Sequence, residues 1–170
     1  TAPTVEYKIK LKIKNEKLKI GEDGLIRIQS AAEFPDPSQI EEAREPVMQV
    51  TIYAPKTYVG AIMQLCQERR AEMVDLLYPT ENQVKFIYLV PLSEMIIDFF
   101  DRLKSVSEGY ASLDYEFFDY QKVKLVKLDI LLNKEKVDAF SQLVVEEKAQ
   151  KIGQMMVEKL KEVIPRQQFL

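Results

Sequence analysis

The chain has no histidine and only one cysteine in 170 residues. Without histidine, the commonest general base near neutral pH and the commonest metal ligand are both missing. The single cysteine, Cys66, can neither close an internal disulfide nor build a cysteine zinc cluster, which fits a reducing cytoplasm. No apolar run approaches the roughly 20 residues a membrane-spanning helix requires. The N-terminus lacks the basic region and apolar core of a secretory signal. No Gly-x-x-x-x-Gly-Lys-Ser/Thr loop is present to cradle nucleotide phosphates, and no Gly-x-Ser-x-Gly elbow to expose a nucleophile. The residues alone describe a binding or scaffold fragment with no active site, no cofactor and no metal site of its own.

What is present is a globular composition, 46% hydrophobic and 30% charged, long enough for one large or two small domains. The net charge of −3 argues against a free-standing nucleic-acid binder, while leaving room for a local basic face. The first segment alternates: Val5, Tyr7, Ile9, Leu11 and Ile13 fall on one face, and Glu6, Lys8, Lys10, Lys12 and Lys14 on the other. Period 2 over that length predicts a half-buried strand with a solvated lysine face. Short strands are expected at 18–20 and 25–28, around the turn between Gly21 and Gly24. Residues 30–44, with Pro35, Asp36, Pro37 and an acidic run, read as a linker with a short helical piece near 38–43.

From Pro46 the signals become regular. Met48, Val50 and Ile52 alternate as a strand that Pro55 stops. Val59, Ile62, Met63 and Cys66 lie at i, i+3, i+4 and i+7 of a helix. Residues 72–78 and 83–90 read as strands broken at Pro79-Thr80-Glu81-Asn82. Ile96, Phe99, Phe100 and Leu103 repeat the helical spacing, and Ala111, Leu113, Tyr115 and Phe117 alternate as a further strand. The order βαββαβ predicts an α+β fold: a ferredoxin-like sandwich with two helices on one face of a four-stranded antiparallel sheet. A β-rich segment precedes it. An α+β segment follows, with a strand at 126–132, a turn at 133–136, a strand or helical piece at 137–144, and a helix over 146–163 that Pro165 stops. An apolar start at Phe169-Leu170 and the lack of an initiator methionine at Thr1 point to a piece of a longer protein.

The densest polar stretch is the junction Asp98–Ser112, where Arg102, Lys104, Ser105, Ser107 and Tyr110 crowd around Gly109. Lysine and arginine there can meet phosphates while hydroxyls and turn amides fix register. The same serines and glycine can equally cap a helix and turn the chain. Arg69 and Arg70 form a second basic site, which as a helix C-terminus also suits the helix dipole. An aromatic platform for single-stranded RNA would need exposed rings. Tyr88, Tyr115 and Phe117 share the phase of aliphatic residues, so they are expected in the core.

A set of short motifs runs through the chain in order. It includes Thr1-Ala2-Pro3-Thr4-Val5, Pro35-Asp36-Pro37, Glu45-Pro46, Tyr58-x-Gly60-x-x-Met63-x-Leu65-Cys66-x-x-Arg69-Arg70 and Pro91-Leu92-x-Glu94. Further on stand Asp98-Phe99-Phe100-Asp101-Arg102-Leu103-Lys104-Ser105, Gly109-Tyr110-Ala111-Ser112, Leu125-Val126-Lys127-Leu128-Asp129-Ile130-Leu131 and Ile164-Pro165-Arg166-Gln167. Together they resemble the LepA (elongation factor 4) family of translational GTPases, over the full length of the chain. The resemblance implies the end of a domain III and its linker at 1–44, an elongation factor G domain V-like ferredoxin-like domain at 45–120, and the start of the family's C-terminal domain at 121–170. It implies a parent that hydrolyses GTP with Mg2+ through a domain absent from this sequence, and that acts on the ribosome in back-translocation or translation fidelity. The expected partners are ribosomal RNA, ribosomal proteins and A-site tRNA, contacted by a monomer through Arg102, Lys104, Ser105, Ser107 and Tyr110, then Arg69 and Arg70. A cytoplasmic location, with peripheral association of the parent at the cytoplasmic side of the cell membrane, goes with it. The alternative reading of the same fold is a small-molecule regulatory module. The sequence departs from the family pattern where Glu108 stands for an arginine, Ala71 for a glycine, Val145-Glu146 for a His-Arg pair and Gln154 for an arginine. Most of these exchanges remove a basic group, and every phosphate left without a cation weakens binding and flattens its salt dependence.

Overall fold

The structure, a computed structural model, describes residues 4–13, 20–129, 131–132, 135–136 and 142–163. In chain order the strands and helices are β1 (Tyr7–Leu11), β2 (Ile26–Ile28), β3 (Ile40–Pro55), α1 (Val59–Glu68), β4 (Glu72–Thr80), β5 (Gln83–Pro91), α2 (Leu92–Met95) and α3 (Phe99–Val106). They continue as β6 (Ser112–Val123), β7 (Leu125–Leu128), β8 (Leu131–Leu132), β9 (Glu135–Lys136), β10 (Gln142–Val145) and α4 (Ala149–Val163). The chain divides into two compact units: Thr1–Glu6 with Glu45–Gln121, and Tyr7–Arg44 with Lys122–Leu170.

In the second unit β1 runs antiparallel to β2, with Tyr7 opposite Ile28 and Ile9 opposite Ile26. It also runs antiparallel to the start of β3, with Lys8 opposite Arg44 and Ile9 opposite Ala43. Tyr7, Ile9, Ile26, Ile28 and Ala43 are buried, as strict alternation requires. The lysine face meets carboxylates: Lys8 reaches Asp23 at 3.1 Å and Lys10 reaches Glu41 at 3.7 Å. Alternation stops at the end of the ladder, and Ile13 is exposed. The helical piece expected near 38–43 is instead one 3-10 turn, Pro37–Gln39, followed directly by strand. Asp36 caps that turn by accepting the Ser38 N–H at 3.0 Å. Beyond it, Ile40–Arg44 find ladder partners in β1, and tertiary pairing overrides a helix too short to stand alone. Ile20 lies outside any strand, and the rest of the strand expected at 18–20 falls outside the described residues.

The C-terminal part of the same unit pairs β7 with β10, Leu125 opposite Val145 and Leu128 opposite Gln142. A two-residue ladder joins β8 and β9. Residues 133–134 of the expected turn and 137–141 of the expected strand or helical piece lie outside the described residues. The helix expected from 146 starts as a 3-10 turn, Glu146–Lys148, and becomes α-helical at Ala149.

The first unit carries the βαββαβ order, with sheet order β4-β5-β3-β6. β3 and β5 pair antiparallel with Val50 opposite Tyr88, Ile52 opposite Phe86 and Ala54 opposite Val84, all buried. Against that face pack Ile62, Leu65 and Cys66 of α1, Met95 of α2, and Phe99 and Leu103 of α3. This is the ferredoxin-like α+β arrangement. Three details depart from the sequence pattern. Leu65, rather than Met63, completes the buried side of α1, and Met63 stays exposed. The second helix is broken at Ile96–Asp98, where Asp98 takes a left-handed φ of 48°, and Phe100 turns outward. Ala111, just before β6, and Leu113 on it pack against the core, but Tyr115 and Phe117, expected to be buried, are each 55% exposed. Their phase is right. Alternation sets which side of the sheet they face, not what covers that side.

Candidate functional site

α3 ends in a tightly bonded turn. Glu108 and Gly109 both adopt left-handed backbone, φ 53° and 84°. The Gly109 N–H donates to the Lys104 carbonyl at 2.8 Å, and the Tyr110 N–H to the Ser107 carbonyl at 3.0 Å. The Glu108 N–H adds a bond to the Ser105 carbonyl at 3.3 Å, so that two carbonyls of the last helical turn find partners. Ser107 is fully buried. Its hydroxyl donates to the Leu103 carbonyl at 2.7 Å and accepts the Ala111 N–H at 3.1 Å, pinning the end of α3 to the start of β6.

On this rigid turn Arg102, Lys104, Ser105 and Tyr110 are exposed. Arg102 and Lys104 have no ion-pair partner among the described residues. Helical spacing puts Arg102 and Ser105 on one flank of α3 and Lys104 on the other. Tyr110 stacks on Tyr58, with ring centroids 6.2 Å apart and planes at 19°. The Tyr58 hydroxyl donates to the Glu108 carboxylate at 2.9 Å. That hydrogen bond stabilises the protonated phenol and raises its pKa above the ordinary value.

Arg69 and Arg70 are occupied elsewhere. Arg70, itself at φ 55°, places its guanidinium against both Glu45 oxygens at 2.9 and 3.1 Å, against Glu94 at 3.1 Å and against the Ser93 hydroxyl at 3.3 Å. Burial opposes its charge, but the bonds to Glu45 and Glu94 prevail and raise its pKa above the ordinary arginine value. Arg69 donates to the Ile97 carbonyl at 2.6 Å and to Asp98 at 2.6 Å. Both side chains are only 14% exposed, and together they brace the end of α1 against the break between α2 and α3. The structure thus brings Arg102, Lys104, Ser105 and Tyr110 to the surface around one turn and holds Ser107, Arg69 and Arg70 inside the scaffold.

Sequence reasoning missed three of the partners: Tyr58, Glu45 and Glu94. Each stands in one of the short ordered motifs, but none could be matched to its partner across so many intervening residues. Cys66 lies in the core beside Tyr88, and burial pushes its thiol up to about 12, so it is no nucleophile. Among the described residues no group of three or more histidine, cysteine, aspartate or glutamate side chains could hold a metal ion. No helix among them is long and apolar enough to cross a membrane.

The βαββαβ order and its sheet define a ferredoxin-like module, closed at one end by a braced, partly basic turn. Residues 42–131 match the family model described as Elongation factor G C-terminus, and residues 132–170 match GTP-binding protein LepA C-terminus. The chain belongs to the elongation factor G C-terminus family, and its last part carries the LepA type of continuation. It is 48% identical over 169 residues to elongation factor 4 of Shouchella clausii, covering 99% of this chain and 26% of that protein. It is 50% identical over 169 residues to elongation factor 4 of Alkaliphilus oremlandii, covering 99% of this chain and 27% of that protein. The chain therefore spans about a quarter of the length of these relatives, which are translation elongation factors.

Proposed function

We propose that this chain is the ribosome-docking portion of a LepA-type translational GTPase, with residues 45–120 as its domain V-like docking module and 121–170 as the start of its C-terminal domain. Arg102, Lys104, Ser105 and Tyr110 form the contact surface. Ser107 and Gly109 hold that surface in shape, and Arg69 and Arg70 support it from within. The observation that carries this reading is the contrast between two arginine sites. Arg69 and Arg70 spend their charge on internal carboxylates and a carbonyl, whereas Arg102 and Lys104 stand exposed and, among the described residues, without an ion-pair partner on a braced turn. Such cations on a rigid frame can neutralise RNA phosphates without reorganisation. GTP and Mg2+ would be handled by the longer parent, acting in the cytoplasm on ribosomal RNA, ribosomal proteins and A-site tRNA, as a monomer. Peripheral membrane association belongs to the same proposal for the parent.

The test is ribosome co-sedimentation across a salt series, with Arg102→Ala and Lys104→Ala introduced singly into the longer protein. Each variant is expected to weaken binding and to reduce the slope of log K against log salt by about 1 for every phosphate no longer neutralised. Unchanged affinity together with an unchanged slope would remove these residues from the ribosome interface.

A further inference from the structure

We infer that the outer edge of β6 is a docking site for a basic protein segment that adds to the sheet as a strand, with basic residues on one face and apolar residues on the other. Within the first unit β6 is the last strand of the order β4-β5-β3-β6, and no strand pairs its outer edge among the described residues. The opposite edge, β4, is blunted by two register shifts and by Pro79, devices that discourage edge pairing.

The side chains of β6 state what the partner must look like. Tyr115 and Phe117 project on the phase of Ala111 and Leu113, and both are exposed. Phe100 of α3 meets Tyr115 edge-on at 5.9 Å and is itself exposed, so the apolar patch continues from strand to helix. On the alternate phase stand Asp114 and Glu116, both exposed and without an ion-pair partner among the described residues, followed by the exposed Phe118. An added strand places successive side chains on opposite faces. Its apolar residues would therefore cover Tyr115 and Phe117, while its lysines or arginines would meet Asp114 and Glu116. Exposed rings also receive cations on their faces, which again favours a basic partner.

Single-stranded RNA, the other occupant an aromatic edge can take, is disfavoured by the same two carboxylates, which repel phosphates. The site thus differs in chemistry from the basic turn around Arg102 and does not rest on the reading of that turn.

The experiment uses the 170-residue chain. Two fluorescently labelled peptides of identical composition are titrated: one of strictly alternating lysine and valine, the other with the lysines and valines in two blocks. The alternating peptide is expected to bind at least about tenfold more tightly, a difference readable in anisotropy. It should slow amide exchange at Asp114–Phe118. The double substitution Asp114→Asn and Glu116→Gln leaves the rings and the packing in place and is expected to weaken that binding by about tenfold. Tyr115→Ser should weaken it as well. Equal binding of both peptides, indifference to the Asp114/Glu116 pair, or unslowed exchange would each overturn the proposal. Protection of the same amides by an oligouridylate would replace the partner with RNA. Protection that appears on concentrating the chain alone, with dimer formation in sedimentation, would replace it with a second copy.

Discussion

The hydroxyl of Tyr58, just before α1, donates to the carboxylate of Glu108, just after α3, at 2.9 Å across 50 positions of sequence. The bond ties the start of one helix to the end of the other and fixes the ring on which Tyr110 stacks. Because it favours the protonated phenol, the folded-state pKa of Tyr58 lies above its ordinary 10.0. The stabilisation it brings is fully present below the unfolded-state pKa and is lost as pH rises through the folded one. Thermal stability should therefore fall as pH climbs past about 10. Glu108→Gln should shrink that fall and move the Tyr58 titration, followed by phenolate absorbance, down toward the ordinary value. A titration unmoved by the substitution would show that Glu108 does not hold the phenol.

Glu108 also places a negative charge among the exposed cations of the turn. Glu108→Arg removes it, together with the bond to Tyr58, and adds a positive one at the same left-handed position. If Arg102 and Lys104 meet RNA phosphate, ribosome binding of the longer protein should strengthen several-fold at low salt, with a slope steeper by about 1. No gain at low salt would count against RNA binding at this turn.

Arg70 and Arg102 should behave as opposites. Arg70→Met leaves Glu45, only 4% exposed, and Glu94 without their shared cation, and breaking such a pair costs about 3–5 kcal/mol. Arg102→Ala touches nothing inside and should shift stability by less than about 0.5 kcal/mol. Urea unfolding of the two variants separates the roles, and an Arg70→Met variant as stable as the parent would deny it a structural one.

Ser107→Ala removes a buried hydroxyl that serves the Leu103 carbonyl and the Ala111 N–H together. With an amide left unmatched, the loss should be about 1–3 kcal/mol, read from denaturant midpoints. A shift near zero would mean that the turn is held by its backbone bonds alone.

The frame of this fold was legible because its signals are local. Alternation in β1, β3 and β5 and helical spacing in α1 each need only a few residues, and the βαββαβ order follows from them. What the sequence did not show depends on distance. The strand character of Ile40–Arg44 comes from β1, far upstream in the chain, a separation visible in Lys8 opposite Arg44. The break at Asp98 rests on a left-handed residue that no local pattern announces. The exposure of Tyr115 and Phe117 depends on what packs over β6, which alternation cannot encode. At the site, the types of residue were readable but not their direction. Ser107 and Ser105 look alike in sequence, yet one is buried in a cap and the other faces solvent.

Two glycines test this backbone reading from opposite sides. Gly109 sits at φ 84° with open space where a Cβ would stand, so Gly109→Ala carries only the conformational cost of left-handed backbone, about 1–2 kcal/mol. Gly153 lies within α4 without a positive φ, and an added Cβ would meet the Leu128 side chain at 3.5 Å, ordinary van der Waals contact. Replacing a helix-interior glycine by alanine restricts the unfolded chain and improves helix propensity, so Gly153→Ala should stabilise by up to about 1 kcal/mol. Thermal melts of the two variants should therefore move in opposite directions. A destabilised Gly153→Ala would mean that Leu128 cannot accept the methyl, and that α4 packs on β7 more closely than a 3.5 Å approach allows.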